Sequence, residues 1–113
     1  MKTSQNRYDA VVVGGGMVGA AAALGLAQEG WSVALLEHQV PQAFEAQSPP
    51  DLRISAIGCT SVGLLKKLGA WQAVTAMRTA PYRRLETWEW ASSRVAFDAV
   101  SLGLPELGFM VEN

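Results

Sequence analysis

Three glycines and one acid have the spacing of a nucleotide-binding turn. Gly14, Gly16 and Gly19 form the pattern G-x-G-x-x-G, and Glu37 follows about 20 residues further on, as such a site requires. Gly14 is expected to allow a tight turn from strand to helix, Gly16 a close approach of the backbone to a pyrophosphate, and Gly19 close packing of helix and strand. The pattern predicts a site for adenosine diphosphate, the part that FAD and NAD share.

The start of the following helix is expected to meet the phosphates. A helix N-terminus has unpaired N–H groups and about half a positive charge, so the amides around Met17 and Val18 can hold a pyrophosphate without lysine or arginine. The Glu37 carboxylate is suited to accept hydrogen bonds from ribose hydroxyls, and it repels a 2'-phosphate, so NADP is not expected here. The alternative is a tight glycine turn in an ordinary α/β protein, with Glu37 merely solvated.

A β-α-β unit must position these residues. Residues 9–13 are a short β-branched run, typical of a strand buried in a parallel sheet, and residues 17–29 are rich in alanine and leucine, which favour a helix. Gly30 stands where a helix takes a left-handed C-terminal residue. Residues 32–36 return to strand character, which predicts two parallel strands with a right-handed crossover. The predicted fold class is α/β, with a Rossmann-like FAD/NAD(P)-binding domain.

The next part of the chain predicts a loop and two helical segments. Residues 38–51 contain three prolines and are expected to form a surface loop. A helix is predicted after a cap at Thr60 or Ser61 and before Gly69. A further short helical turn is predicted from Trp71.

A hairpin is predicted near the end of the chain. Residues 84–90 and 94–99 have strand character on either side of a pair of serines. Because a strand pair after a helix does not continue a simple β-α-β alternation, the hairpin is expected to begin a new region. The predicted division is a nucleotide-binding region at residues 1–80 and the truncated start of a β-rich region at residues 81–113. Nothing in residues 110–113 resembles a natural chain end, so a larger protein is expected.

Composition excludes several classes of protein. The chain is 50% hydrophobic and 17% charged with a formal net charge of -1, so a nucleic-acid partner is not expected. The single cysteine, Cys59, cannot form an intramolecular disulfide, which favours a reducing cytoplasm. The N-terminus is polar and predicts no signal peptide, and glycines interrupt the apolar stretch at residues 10–26, which argues against a membrane-spanning helix.

Several stretches resemble one enzyme family. The flavin-dependent aromatic hydroxylases of ubiquinone biosynthesis are similar to VVVGGGMVGAAAALGLAQEG, LLEH, PDLRISAI, SVGLLKKLGAW, PYRRLETWEW and GFMVEN. The resemblance covers nearly the whole chain from Tyr8, and RISAI and YRRLETWEW are its most distinctive parts. It implies that the ligand is FAD, which the glycines and the acid alone do not distinguish from NAD. It also implies that residues 1–80 are an FAD-binding region and that residues 81–113 are the truncated start of a β-rich substrate domain.

The resemblance also assigns further residues to the cofactor. In that family the glycine turn and the acid hold the adenosine half of FAD. The resemblance therefore assigns this role to Gly14, Gly16, Gly19 and Glu37. The resemblance places Arg53 near the ribose and pyrophosphate of FAD, and Asn113 near its ribityl chain. The alternatives are a surface or structural arginine and an ordinary polar residue at a chain end. No catalytic acid or base and no metal ligand is expected in this chain.

The activity that the resemblance implies is hydroxylation of a polyprenylated benzoquinol. NAD(P)H would reduce the flavin, and O2 would supply the transferred oxygen atom. The family's later motifs surround the flavin ring and are absent from these 113 residues, so the chain alone is expected to be inactive. The alternatives are an NAD-linked or other flavin oxidoreductase and a non-catalytic nucleotide-binding fragment. A lipid substrate is compatible with a cytoplasmic protein that associates with the inner-membrane surface or with other proteins of the pathway.

Several other side chains invite a role but have a simpler expectation. Cys59 precedes a predicted helix and is expected to be a small buried residue rather than a reactive thiol. His38 has no partner at metal-ligand spacing and is expected at the surface, with contact to an adenine edge as the alternative. Trp88 and Trp90 are expected to point the same way on a strand and to pack in a core rather than line a quinol pocket. Residues 83–84 are expected to be solvated charges rather than a partner or lipid site.

Overall fold

The predicted β-α-β unit is present at the start of the chain. In the computed structural model, which describes residues 7–113, the strand β1 (Ala10–Val13) pairs in parallel with β2 (Val33–Leu36). The helix α1 (Met17–Gln28) connects the two strands. Gly30 has a φ of +89°, so the predicted left-handed residue after the helix is confirmed.

Hydrogen bonds between Asp9 and Ser32 align the two parallel strands where they begin. Asp9 precedes β1, and its Oδ2 accepts a hydrogen bond from the Ser32 amide at 2.8 Å, while its own amide donates to Ser32 O at 2.8 Å. Ala23 is the buried residue of α1, and its small side chain allows the helix to lie close to its neighbours. Because the strands start together, they also end at the same edge, where Gly14 follows β1 and Glu37 follows β2.

The chain divides into two compact units, one ending at residue 43 and one comprising residues 44–113. The elements of the second unit are, in chain order, β3 (Ile54–Gly58), α2 (Cys59–Leu68), α3 (Trp71–Thr75), β4 (Thr79–Tyr82), β5 (Arg84–Trp88), β6 (Arg94–Asp98) and β7 (Gly108–Glu112). Three of the strands form an antiparallel sheet in the order β3-β7-β4, and β5 and β6 form a hairpin. Residues 38–51 contain no helix or strand and are almost all exposed, so the predicted surface loop is confirmed.

The core of the second unit is small and lies beside the antiparallel sheet. Ile57, Val62, Trp71 and Val111 form its buried cluster. The Trp71 ring meets Phe109 edge to face, with ring centroids 5.0 Å apart, an arrangement that aromatic pairs favour. The core therefore joins α2 and α3 to the central strand β7 and its neighbour β3.

The predicted cap of the second helix is wrong. The helix begins at Cys59, and its flanking residue is Gly58, which is extended with φ -71° and ψ 164°. Strand β3 runs into α2 without a connecting loop, so Thr60 and Ser61 fall inside the first turn and no side chain caps the helix. The predicted end is confirmed, because Gly69 has a φ of +79°.

Cys59 also differs from its expectation, because its side chain is exposed rather than buried. As the first residue of α2 it lies at the surface end of the helix. Its Sγ is 3.1 Å from Glu106 O and 3.3 Å from Leu107 O. The thiol therefore contacts the backbone that leads into β7 instead of filling a core position.

The predicted hairpin is confirmed with shorter strands, but the core position of its tryptophans is wrong. Strand β5 ends at Trp88, so Trp90 lies in the turn and does not share a strand face with it. Their exposed fractions are 64% and 69%. The Trp88 ring lies on the charged face of the hairpin, 5.8 Å from the Arg94 guanidinium. Arg84 is 55% exposed in the side chain and pairs with Glu86, as a solvated charge should.

The observed fold is mixed α/β, with one parallel pair of strands around the glycine turn. The antiparallel sheet draws strands from both sides of residue 80. The division into an FAD-binding region and a substrate region stays a prediction about the longer protein. In the part of the chain that the structure describes, no helix has the length and apolarity to cross a membrane.

Candidate functional site

The glycine turn continues the parallel pairing and then reverses the chain. The Gly14 amide donates to Leu36 O at 2.8 Å, which extends the β1-β2 ladder by one residue. Gly14 has a φ of +99°, a conformation that strains any residue with a Cβ. Gly16 is the flanking residue of α1, and its carbonyl accepts the helical bond from Ala20 at 2.8 Å. The turn from strand to helix therefore takes only three residues.

Gly19 allows the helix to lie against the turn. A Cβ at this position would stand 1.9 Å from Gly14 O and 3.4 Å from Val12 Cγ1. No rotation of a side chain relieves such a contact, because the nearest atom belongs to the backbone. A Cβ at Gly16 would meet nothing within 4 Å. The close approach predicted at Gly19 is present, and the space at Gly16 is open.

The N-terminus of α1 has amides without intrahelical partners. The amides of Met17, Val18 and Gly19 precede the first helical hydrogen bond, which runs from Ala20 to Gly16. No side chain caps this end, and the first turn contains no acidic residue. The donors and the positive end of the helix dipole are thus available to an anion. The open space at Gly16 and this set of donors fit a pyrophosphate.

Glu37 is already bonded to the glycine turn. Its Oε2 accepts a hydrogen bond from the Gly15 amide at 2.6 Å, and its Oε1 accepts one from the Gln39 amide at 3.2 Å. His38 Nδ1 lies 3.1 Å from Oε1, and the His38 side chain is 87% exposed, which confirms the predicted surface position. Gly15 was not among the predicted site residues, although the middle glycine of the run at residues 14–16 was a usable signal. A Cβ there would lie 3.2 Å from Glu37 Cβ.

These hydrogen bonds lower the pKa of Glu37 from its ordinary value of 4.5. The Gly15 amide is the largest cause and the Gln39 amide the next; desolvation opposes them, and the charge and the backbone amide of His38 add smaller effects in the same direction as the two amides. Each of these groups favours the ionised carboxylate. The site therefore presents a charged acceptor at neutral pH.

A pH-dependent stability follows from this lowered pKa. Because the pKa is lower in the folded than in the unfolded chain, the stabilisation is present above pH 4.5 and is lost as the pH falls through the folded pKa. We expect Glu37→Gln to lose less stability than the wild type over that acid range. The measurements are an NMR titration of the Glu37 carboxyl carbon and urea unfolding at several pH values, with the exposed Glu29→Gln as control. A Glu37 pKa at or above 4.5 contradicts this account.

Arg53 and Asn113 come together at one end of the antiparallel sheet. The Asn113 amide donates to Arg53 O at 3.4 Å, and the Arg53 amide donates to Asp51 Oδ1 at 3.2 Å. Ser55 Oγ donates to the side-chain Oδ1 of Asn113, so the Asn113 Nδ2 group remains as the free donor. Within residues 7–113 the Arg53 guanidinium has no hydrogen bond or ion pair. Ser55 was not among the predicted site residues, because its contact with Asn113 depends on the pairing of β3 with β7.

Known proteins match this chain over most of its length. Residues 9–48 match a family described as FAD dependent oxidoreductase. The chain is 64% identical over 102 residues to 3-demethoxyubiquinol 3-hydroxylase of Escherichia coli (strain K12), which covers 90% of this chain and 26% of that protein. It is 37% identical over 113 residues to the mitochondrial ubiquinone biosynthesis monooxygenase COQ6 of Xenopus tropicalis, covering 94% of this chain and 24% of that protein. The corresponding figures for the Homo sapiens protein of the same name are 36%, 112 residues, 94% and 24%.

The chain spans about a quarter of the length of the curated relatives that it matches. The family match at residues 9–48 includes the glycine turn and Glu37. These matches confirm the resemblance that the sequence predicted.

Proposed function

We propose that this chain, which is similar to the N-terminal quarter of the flavin-dependent hydroxylases of ubiquinone biosynthesis, binds the adenosine diphosphate half of FAD. One observation carries the proposal. The Glu37 carboxylate is bonded to the Gly15 amide at 2.6 Å, so an acceptor suited to ribose lies beside the turn whose helix offers donors to phosphate.

Each part of the turn has a role toward FAD. The amides of Met17 and Val18 bind the pyrophosphate, and Gly16 leaves the space that the phosphates need. Glu37 accepts hydrogen bonds from the ribose hydroxyls of the adenosine. Because it is already oriented by two backbone amides, little side-chain freedom is lost when the ligand binds.

The resemblance assigns two residues of the second unit to the same cofactor. Arg53 supplies a positive charge toward the pyrophosphate, and its guanidinium has no other partner within residues 7–113. Asn113 presents a donor to the ribityl chain, because Ser55 occupies its side-chain oxygen. Both roles follow the resemblance, and the contacts among these residues support them.

The proposed reaction belongs to the longer protein. When bound, FAD carries electrons from NAD(P)H and activates O2 for transfer of one oxygen atom to an aromatic ring. The proposed substrate is a polyprenylated benzoquinol, the class to which the name of the Escherichia coli relative points. Within the longer protein, residues 1–80 are a Rossmann-like FAD-binding region and residues 81–113 are the start of a β-rich substrate domain. Association with a membrane surface or with other proteins of the pathway is part of the same proposal, because the substrate is a lipid.

Identification of the bound cofactor and nucleotide competition experiments test the proposed ligand. We expect the full-length protein to carry FAD, which mass spectrometry of the released chromophore identifies. ADP is expected to compete with FAD for rebinding to the apoprotein, whereas FMN is not, because the turn and Glu37 recognise the half that FMN lacks. A colourless protein that binds NAD instead would support the NAD-linked alternative. A flavoprotein in which FMN competes and ADP does not would place the cofactor elsewhere.

A further inference from the structure

Arg78 fastens two distant parts of the second unit to each other. It lies between α3 and β4, and its Nη1 donates to Ser48 O at 2.6 Å. Its Nη2 is 3.3 Å from Ser48 Oγ and 3.3 Å from Glu112 Oε2. The guanidinium carbon lies 5.2 Å from the centroid of the Phe44 ring. One side chain thus contacts the loop at residues 44–48 and the last residue of β7.

The pairing with Glu112 is more protected than the other ion pairs between arginine and glutamate or aspartate in residues 7–113. Arg78 Nε lies 2.8 Å from Glu112 Oε1 without hydrogen-bond geometry, so attraction between charges supplies this contact. The two side chains are 32% and 21% exposed, whereas the arginines that pair on the hairpin, Arg84 and Arg94, are 55% and 58% exposed. Because screening by water is weaker here, the pair is expected to restrain the chain more than a surface pair does.

The two segments that Arg78 holds both lead to proposed cofactor residues. Ser48 precedes Arg53 in the loop that enters β3. Glu112 directly precedes Asn113, whose amide bonds to Arg53 O at 3.4 Å. Arg78 therefore restrains the chain before Arg53 through Ser48, and before Asn113 through Glu112.

We propose that Arg78 is a positioning residue for FAD binding, which acts by holding Ser48 and Glu112 so that Arg53 and Asn113 keep their places. The inference rests on the proposed function, since Arg53 must meet the cofactor for its position to matter. Arg78 Nη1 and Nη2 are bonded to Ser48 and Glu112, so the role proposed for Arg78 is indirect and acts through these two residues. The planar fork is needed because it reaches Ser48 and Glu112 at once, which a lysine cannot do.

The first test compares variants of the full-length protein. Arg78→Met is expected to weaken FAD binding about tenfold, the lower end of the effect of removing a group that orients a ligating residue. Arg78→Lys keeps the charge but loses the fork, so its effect is expected to be intermediate. Arg84→Met removes ion pairs to Glu86 and Asp98 on the hairpin and is expected to leave the FAD dissociation constant within about twofold, since exposed pairs contribute little. Each variant is also measured for apoprotein melting temperature.

A double-mutant cycle separates positioning from general stability. Arg53→Ala combined with Asn113→Ala is expected to weaken FAD binding, and in that background Arg78→Met is expected to have little further effect, because both side chains that it positions are gone. The same fold-change in both backgrounds, or a melting temperature that falls while the FAD dissociation constant does not change, overturns the positioning role. Absence of FAD binding in the wild type overturns the proposed function instead, so the two failures are distinguishable.

Discussion

Replacing Gly19 by alanine is expected to weaken FAD binding about 100-fold and to destabilise the first unit, whereas alanine at Gly16 is expected to impair cofactor binding alone. A Cβ at Gly19 would stand 1.9 Å from Gly14 O, so helix and turn must separate. Overpacking of this kind costs about 3 kcal/mol when backbone atoms have to move. The displaced turn also loses its amide contacts to the phosphates, and two charge-assisted hydrogen bonds at about 1.5 kcal/mol each correspond to a fall of about 100-fold in affinity.

The Gly16 variant separates the effect on FAD affinity from the effect on the free energy of unfolding. Its backbone has φ -69° and ψ -174°, and a Cβ would meet nothing within 4 Å. Gly16→Ala is therefore expected to change the free energy of unfolding by no more than about 0.5 kcal/mol. The added methyl group would occupy the space proposed for the pyrophosphate, and we expect a loss of FAD affinity of about tenfold or more, which corresponds to about 1.4 kcal/mol.

Gly63 provides a matched control within a helix. It lies inside α2, and a Cβ there would meet nothing within 4 Å. Gly63→Ala is expected to be neutral or to stabilise by up to about 1 kcal/mol through helix propensity, without effect on FAD. Urea unfolding and fluorescence titration with FAD measure the three variants together. Wild-type FAD affinity in Gly16→Ala would show that the phosphates do not lie against this turn.

The β-α-β unit could be predicted because every local signal agreed with the global fold. The β-branched run, the alanine-rich helix and Gly30 each specify their own conformation without help from distant residues. The acid followed at the distance at which parallel strands bring it back to the turn. Such a prediction succeeds when the hydrophobic period and the positions of the glycines are enough to specify each helix and strand.

The antiparallel sheet of the second unit could not be predicted in the same way. Its strands β3, β4 and β7 have four or five residues each, and β4 contains Pro81, which demotes a strand prediction. The order β3-β7-β4 places β4 at an edge, where proline is tolerated. The pairing of β3 with β7 joins residues at least 50 positions apart, and no local pattern reports such a contact.

The candidate site was predicted where it depends on residue type and missed where it depends on the backbone. Glu37 has a side chain with an expected role, whereas Gly15 contributes only an amide that bonds to it at 2.6 Å. Ser55 and Arg78 become informative only once their partners in the fold are known. The prediction for the hairpin tryptophans was wrong for a related reason. Strand β5 ends at Trp88, so Trp90 lies outside the strand and does not share a strand face with Trp88.

Removing the Glu37 carboxylate is expected to weaken FAD binding strongly. Hydrogen bonds to a charged acceptor contribute about 1.5–3 kcal/mol each, so loss of the ribose contacts in Glu37→Ala is expected to cost about 100-fold in affinity. Glu37→Gln keeps an oxygen acceptor without the charge, and we expect a loss of about tenfold. Glu29→Gln serves as the control, because it makes the same change at an exposed residue after α1. Retention of wild-type affinity in Glu37→Ala is the outcome that contradicts the ribose role.

The same variants are expected to change which nucleotides compete with FAD. The Glu37 carboxylate is held ionised by the Gly15 and Gln39 amides, so a 2'-phosphate placed near the ribose meets a fixed negative charge. Adenosine 2',5'-diphosphate is therefore expected to displace FAD from the wild type far less well than AMP does, which is the same nucleotide without the 2'-phosphate. In Glu37→Gln this difference should shrink, because the repulsion is gone while the phosphate donors of the turn remain. Equal competition by the two nucleotides in the wild type would mean that Glu37 does not face the ribose, and the acid would then serve the turn through Gly15 alone.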